Sequence, residues 1–180
     1  MSKKVDVNRR AFLRGAYLTR EGRAEVSQQQ NPLGPAPPWH QGLPLQSHCP
    51  GCTQPCVAAC EPAIIRIHPQ HHSHAGVPYL GFASAGCTFC HACVEACPID
   101  IDASNEPVPR IGELILDRAT CIAWKDIICM SCSSRCPHQA IKTRHHRRPL
   151  VDDDACTTCG ICIAACPVQS LRITSLGPGP

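Results

Sequence analysis

The sequence predicts an α+β protein of short strands and short helices, arranged as two tandem modules of similar build. Three observations predict it. The sixteen cysteines fall into four sets of four, short β-rich stretches separate the sets, and only seven aromatic residues (three Phe, two Trp, two Tyr) are present, too few for an ordinary core. Eighteen prolines and twelve glycines add short turns rather than long helices.

The cysteine spacing carries the most information. Cys87, Cys90, Cys93 and Cys97, followed by Pro98, read C-x2-C-x2-C-x3-C-P, and Cys156, Cys159, Cys162 and Cys166 with Pro167 repeat that spacing unchanged. Cys49, Cys52, Cys56 and Cys60 repeat it with one extra residue in the second gap, and Pro62 stands one place late, behind Glu61. Cys121, Cys129, Cys132 and Cys136, followed by Pro137, keep the last two gaps and stretch the first. No cysteine is left over. This run is the one that holds a bacterial-type [4Fe–4S] cluster. The predicted class is therefore tandem bacterial-type (2×[4Fe–4S]) ferredoxin-like modules, with up to four [4Fe–4S] clusters and all sixteen cysteines as candidate ligands.

The chemistry explains the spacing. Iron and sulfide need soft thiolate ligands. Two-residue gaps curl the chain around one corner of a cube, and small residues such as Gly51, Ala92 and Gly160 let the backbone come close. The third and fourth cysteines of each set are four apart, so one short helical turn carries both on one face. The proline behind the fourth cysteine cannot donate a helical hydrogen bond and redirects the chain. Zinc explains less, because a structural zinc needs two C-x2-C pairs and has no use for a third thiol in the same loop. A disulfide framework seldom crowds four thiols into about twelve residues four times over. In two-cluster ferredoxins the fourth cysteine serves the neighbouring cube. On that pattern Cys60 and Cys97 exchange, as do Cys136 and Cys166. The spacing also permits each run to close its own cube, and it leaves Cys121 as either a ligand or a bystander to a three-cysteine site.

The formal charge of +3 counts every cysteine as a neutral thiol. An oxidised cube with four thiolates carries two negative charges, so four of them bring the chain to about −5. That balance argues against a nucleic-acid partner. No apolar stretch is long enough to span a membrane, so a membrane role would require a partner. Because inorganic cubes would fill the centre that side chains do not, folding should depend on cluster insertion.

Taken in order, residues 1–46 form an arginine-pair segment and a Pro/Gln-rich linker. Arg9-Arg10-x-Phe12-Leu13 looks like a twin-arginine export signal, but the apolar region such a signal needs does not follow. It reads either as a basic amphipathic docking segment, with Phe12, Leu13 and Leu18 on one side, or as a solvated tail. Trp39 reads either as packed on the first module or as exposed. Residues 47–105 form the first module. Ala63–Ile67 and Val77–Phe82 are its predicted strands, and the loop between them, with His68, His71, His72 and His74, reads as a solvated hairpin tip rather than a metal site. Residues 106–175 form the second module, with strands expected over 113–117, 140–143, 149–152 and 171–174. Its basic turn, Arg144-His145-His146-Arg147-Arg148, reads as another solvated tip rather than a face for an acidic partner. Strand, cluster loop, short helix and strand thus recur four times as two pairs. Residues 176–180 are a tail.

The combination resembles the NapF family, ferredoxin-type accessory proteins of periplasmic nitrate reductase systems. The resemblance covers Asn8-Arg9-Arg10-Ala11-Phe12-Leu13-Arg14-Gly15, the linker and all four cysteine runs in order. The long first gap of the third run, Cys121 to Cys129, is its most discriminating feature; the extra residue among Thr53-Gln54-Pro55, and Glu61, depart from the pattern. The resemblance implies a cytoplasmic protein, neither cleaved nor exported, that associates with the catalytic molybdenum subunit of periplasmic nitrate reductase. It implies help in maturing that subunit before export, by electron or cluster supply. The alternative is an electron-transfer subunit of a membrane-associated oxidoreductase, and a third reading is an autonomous ferredoxin. The sequence has no Gly-rich phosphate loop, dinucleotide fingerprint or nucleophile–base set, so the chain is not expected to be an enzyme.

Overall fold

A computed structural model describes residues 12–13, 15, 18–24, 31–103, 110–144 and 148–175. Arg9 and Arg10, the centre of the basic turn (145–147), the expected module boundary at 105/106 and the tail 176–180 lie outside the described residues.

Each cysteine run folds the same way locally. A short helix carries the third cysteine and stops at or just before the fourth: α2 (Pro55–Ala59), α3 (Ala92–Glu95), α4 (Ser131–Arg135) and α5 (Ile161–Ala164). A further turn, α1 (Leu45–His48), leads into Cys49. After Cys60, Cys136 and Cys166 the chain reverses within three residues. Ala63, Gln139 and Gln169 take left-handed φ of 53°, 50° and 50°, and each N–H bonds back to the carbonyl of the fourth cysteine. The strand that follows therefore starts at a fixed distance from the run.

Those strands are β1 (Ile65–Ile67), β4 (Ile141–Arg144) and β6 (Leu171–Thr174). β1 pairs antiparallel with β2 (Pro78–Leu80), Ile65 opposite Leu80. β4 pairs with β5 (Arg148–Val151), Ile141 opposite Val151. β6 pairs with β3 (Glu113–Leu116), Leu171 opposite Leu116. The second module thus has two two-stranded sheets, whereas among the described residues the first has one. Among the described residues the fourfold strand repeat is broken after the second run, where Cys97 is followed by Ile99-Asp100-Ile101 without the left-handed turn that launches a strand elsewhere.

Two apolar cores support the runs. The first holds Cys56, Ile64, Ile65, Leu80, Phe82 and Ile111; the second holds Leu114, Ile141, Cys162 and Leu171. Ile163 and Ile173 pack against both, so the modules share a wall of aliphatic side chains.

Two segments differ from expectation. The expected linker is partly structural: Pro35, Pro37, Pro38, Trp39 and His40 are buried, and the Leu80 N–H donates to the Pro35 carbonyl at 2.8 Å. Prolines suit this path because it leaves few N–H groups to satisfy. The histidine loop is not a solvated tip either. His68 and His72 are 2% and 5% exposed, with ring centroids 4.6 Å apart. His68 Nδ1 bonds to the Val77 carbonyl at 2.7 Å and its Nε2 accepts the Leu33 N–H at 3.1 Å. His72 Nε2 lies 3.1 Å from the Asn31 carbonyl. The histidines thus stitch the hairpin to the incoming chain. His71 alone among the four fits the surface reading. Phe12, Leu13 and Leu18 are exposed.

Candidate metal centres

The loop between the first and third cysteines is left-handed at matching places. In the second run Phe89 and His91, on either side of Cys90, have φ of 54° and 63°; in the fourth run Thr158 and Gly160, on either side of Cys159, have φ of 57° and 80°. Left-handed backbone on both flanks of the middle cysteine curls the loop so that three thiols share one concave side. Gly160 takes this conformation without strain, whereas His91 carries the steric cost of its Cβ. In the first run Gly51 and Gln54 flank Cys52 at a different offset, since the extra residue moves the second bend to Gln54.

The folded chain brings the thiols together across runs. One cavity is lined by Cys60 from the first run and Cys87, Cys90 and Cys93 from the second. Another is lined by Cys136 from the third run and Cys156, Cys159 and Cys162 from the fourth. Cys49 and Cys56 both feel the charge of Cys97, which stands at the far end of the second run, as well as that of Cys52. Cys132 feels Cys129 and Cys121, so the buried Cys121 sits with its own run despite the long gap. Cys166 packs on the same core as Cys132. α2 packs on α3 and α4 on α5, which brings the fourth cysteine of one run towards the loop of its neighbour.

These thiols fit a multi-iron core. All sixteen cysteines are free. Burial, followed by mutual repulsion, pushes Cys49 up to about 11 and Cys93 and Cys162 up to about 12. In Cys87 and Cys132, both at about 11, burial dominates although a backbone N–H bond opposes it. Four crowded thiols resist ionising together unless a cationic core sits among them, which is what iron supplies. Among the described residues no three of His, Cys, Asp or Glu converge tightly enough for a single metal ion. A cube is ligated at four separate corners, so its thiols stand farther apart than those around one ion.

Hydrogen bonds to sulfur tune such centres. N–H groups of Gln54, Phe89, Ala140 and Ser170 approach Cys52, Cys87, Cys136 and Cys166 at 3.3–3.4 Å. Ser170 adds its hydroxyl, 3.3 Å from the Cys166 sulfur. Burial would raise the Cys166 thiol, but hydrogen bonds from Ser170, joined by backbone bonds from Val168 and Gln169, together outweigh it and hold it below the ordinary value.

Thr158 and Ser170 escaped the sequence reading, and Trp39 takes the packed one of its two readings. Trp39, 9% exposed, lines the Cys60/Cys87/Cys90/Cys93 cavity and stacks edge-on to Phe89 and His91. Thr158 is 1% exposed, and its hydroxyl accepts the Ile111 N–H at 2.8 Å. Ser170 had one detectable signal: it occupies the place that Ala140 holds four residues after the fourth cysteine of the third run.

The 4Fe-4S dicluster domain family matches residues 48–101 and 127–170, more than half of the chain. The second match begins after Cys121. Together with the free thiols, this defines an iron–sulfur protein of the dicluster ferredoxin class, carrying multiple [4Fe–4S] clusters. The chain is 32% identical to the ferredoxin-type protein NapF of Haemophilus influenzae and 27% identical to that of Escherichia coli K12, each over 93% of this chain and 94% of the relative. It is 31% identical to the ferredoxin-type protein NapG of Haemophilus influenzae, over 96% of this chain and 72% of the relative. No solved structure matches. The chain belongs to the NapF family of ferredoxin-type proteins. No helix among the described residues is long and apolar enough to cross a membrane.

Proposed function

We propose that this protein is an accessory factor in the maturation of the catalytic molybdenum subunit of a periplasmic nitrate reductase, acting in the cytoplasm before export. It supplies electrons or an iron–sulfur cluster and is not itself an enzyme. The full-length similarity to NapF carries this reading, because it extends past the cysteine runs to 93% of the chain.

On this reading the fold is α+β, with residues 1–46 preceding ferredoxin-like modules at 47–105 and 106–175 and a tail at 176–180. Four cubes are held by Cys49, Cys52, Cys56 and Cys97; by Cys60, Cys87, Cys90 and Cys93; by Cys121, Cys129, Cys132 and Cys166; and by Cys136, Cys156, Cys159 and Cys162. The thiol-lined cavities and the effect of Cys97 on Cys49 and Cys56 support the crossed sets. The third set takes Cys166 because its exchange partner Cys136 lines the fourth-run cavity. The clusters supply one-electron redox chemistry; the chain's own part is to hold them, shield them and set their potentials.

The test is capture of the unexported catalytic-subunit precursor by anaerobically purified holo-protein, with cell fractionation alongside. Capture from the cytoplasmic fraction is expected. Absence of capture, together with fractionation on membranes, would favour an electron-transfer subunit of a membrane-associated oxidoreductase, the reading that the similarity to NapG supports.

A further inference from the structure

The two modules meet at a pair of cysteine ligands. The Cys87 N–H donates to the Cys159 carbonyl at 2.7 Å. Around this bond the packing leaves no slack. A Cβ on Gly86 would lie 2.7 Å from the same Cys159 carbonyl oxygen and would also strike Ile161, and a Cβ on Gly160 would strike the Phe82 ring. The Ile111 N–H bond to the buried Thr158 hydroxyl braces the same loop from the other side. Neither the first nor the third run takes part in this contact. Cys132 and Cys136 of the third run pack on the second core.

We infer that Cys87 and Cys159 form the electron junction between the modules, so that the four centres are ordered in space as first, second, fourth, third rather than in sequence order. The inference rests on the crossed ligand sets proposed above. Within each module two centres are neighbours because they exchange fourth cysteines. Between modules, a ligand of the second centre (Cys87) is hydrogen-bonded through its own backbone to a ligand of the fourth (Cys159). The path from sulfur to sulfur is two short side chains, two stretches of backbone and one hydrogen bond. Cys60, Cys87, Cys90 and Cys93 would hold one cluster and Cys136, Cys156, Cys159 and Cys162 the other; when bound, the two would supply reversible one-electron chemistry, the electron lost by one being the electron gained by the other, with no proton or group transferred. The first and third centres are then the two ends of the array. Gly86 and Gly160 are positioning residues whose missing side chains set the approach.

The test is EPR on full-length holo-protein purified anaerobically and reduced with dithionite. A variant carrying Cys49→Ser, Cys52→Ser, Cys129→Ser and Cys132→Ser retains only the two inner centres. It is expected to show clear spin–spin splitting. A variant carrying Cys87→Ser, Cys90→Ser, Cys156→Ser and Cys159→Ser retains only the outer two, and its splitting should be several-fold weaker. Equal splitting in both, or stronger splitting in the outer pair, overturns the order. Gly86→Ala, which leaves every ligand in place, decides the matter independently of how the four-serine variants fold. The expected result is a several-fold loss of inter-module spin–spin broadening at unchanged iron content. A spectrum identical to wild type overturns the junction. Iron and sulfide analysis separates the two ideas: about sixteen irons in the wild-type chain is expected for four occupied centres, and a shortfall there counts against four centres rather than against their order.

Discussion

Trp39 meets the His91 ring edge-on, with ring centroids 4.3 Å apart. The contact joins a residue of the Pro-rich approach to the middle of the second cysteine run, and Trp39 lines the same cavity as Cys60, Cys87, Cys90 and Cys93. Trp39→Ala should destabilise the holo-protein by about 3 kcal/mol, because a large buried ring leaves a void. It should also speed loss of iron in air, since part of the wall of that cavity is gone. Thermal melts and iron release followed by absorbance would check both. A melt unchanged from wild type would show that the tryptophan is not part of the core.

Ser170 is placed to tune one centre. Its hydroxyl and N–H both reach the Cys166 sulfur, whereas the matching Cys136 sulfur receives only the Ala140 N–H. Hydrogen bonds to a ligand sulfur favour the more negative, reduced state. Ser170→Ala is therefore expected to lower one of the potentials by on the order of tens of millivolts. A potentiometric EPR titration that finds all potentials unmoved would contradict this.

Cys121 discriminates between two versions of the third centre. It is buried and lies close enough to Cys132 to repel its thiolate. Cys121→Ala should cost about four irons per chain, the same loss expected for Cys90→Ala or Cys159→Ala. Retention of full iron by the Cys121 variant alone would make it a packing residue beside a three-cysteine site.

Removing the clusters should unfold the chain. The cores are small, and many of the groups packed against them are cysteines crowded around a centre that iron would fill. Chelation under reducing conditions is expected to abolish the cooperative melt. A cluster-free protein that melts cooperatively would refute this dependence.

The histidine stitch gives a pH dependence of known sign. Burial lowers the His68 pKa below 6.5; the bond to the Val77 carbonyl opposes this, and His72 and His74 reinforce it. The neutral ring donates through Nδ1 and accepts the Leu33 N–H at Nε2, and a protonated ring has no lone pair left for Leu33. Because the folded pKa lies below the unfolded one, this contribution is complete above 6.5 and is lost as pH falls through the lowered value. The protection factor of the Leu33 amide, its exchange rate corrected for the intrinsic pH dependence, should therefore fall as pH drops below 6.5 in the wild type. In His68→Gln the same pH change should do little to the protection factor, and an equal fall in both proteins would place the effect elsewhere.

Much was legible in the sequence because cluster ligation is a local matter. Three thiols at two-residue gaps must curl around one corner of a cube, so Cys87–Cys97 and Cys156–Cys166 announce their chemistry without reference to the rest of the chain. The strands after Cys60, Cys136 and Cys166 were legible for the same reason: a turn at a fixed offset launches each one.

What the tertiary structure alone decided concerns groups far apart in the chain. The spacing allowed Cys97 to close its own run or to cross; the packing of α2 on α3 brings it to Cys49 and Cys56. The sequence leaves Trp39 between two readings and does not give the roles of His68 and Thr158, because each acts on a partner tens of residues away, against His91, Leu33 and Ile111 respectively. The meeting of Cys87 with Cys159 belongs here too. A local motif fixes which atoms bind, through short-range sterics and ligand chemistry. Which runs become neighbours depends on how two small cores share Ile163 and Ile173, and that is a property of the whole packed chain.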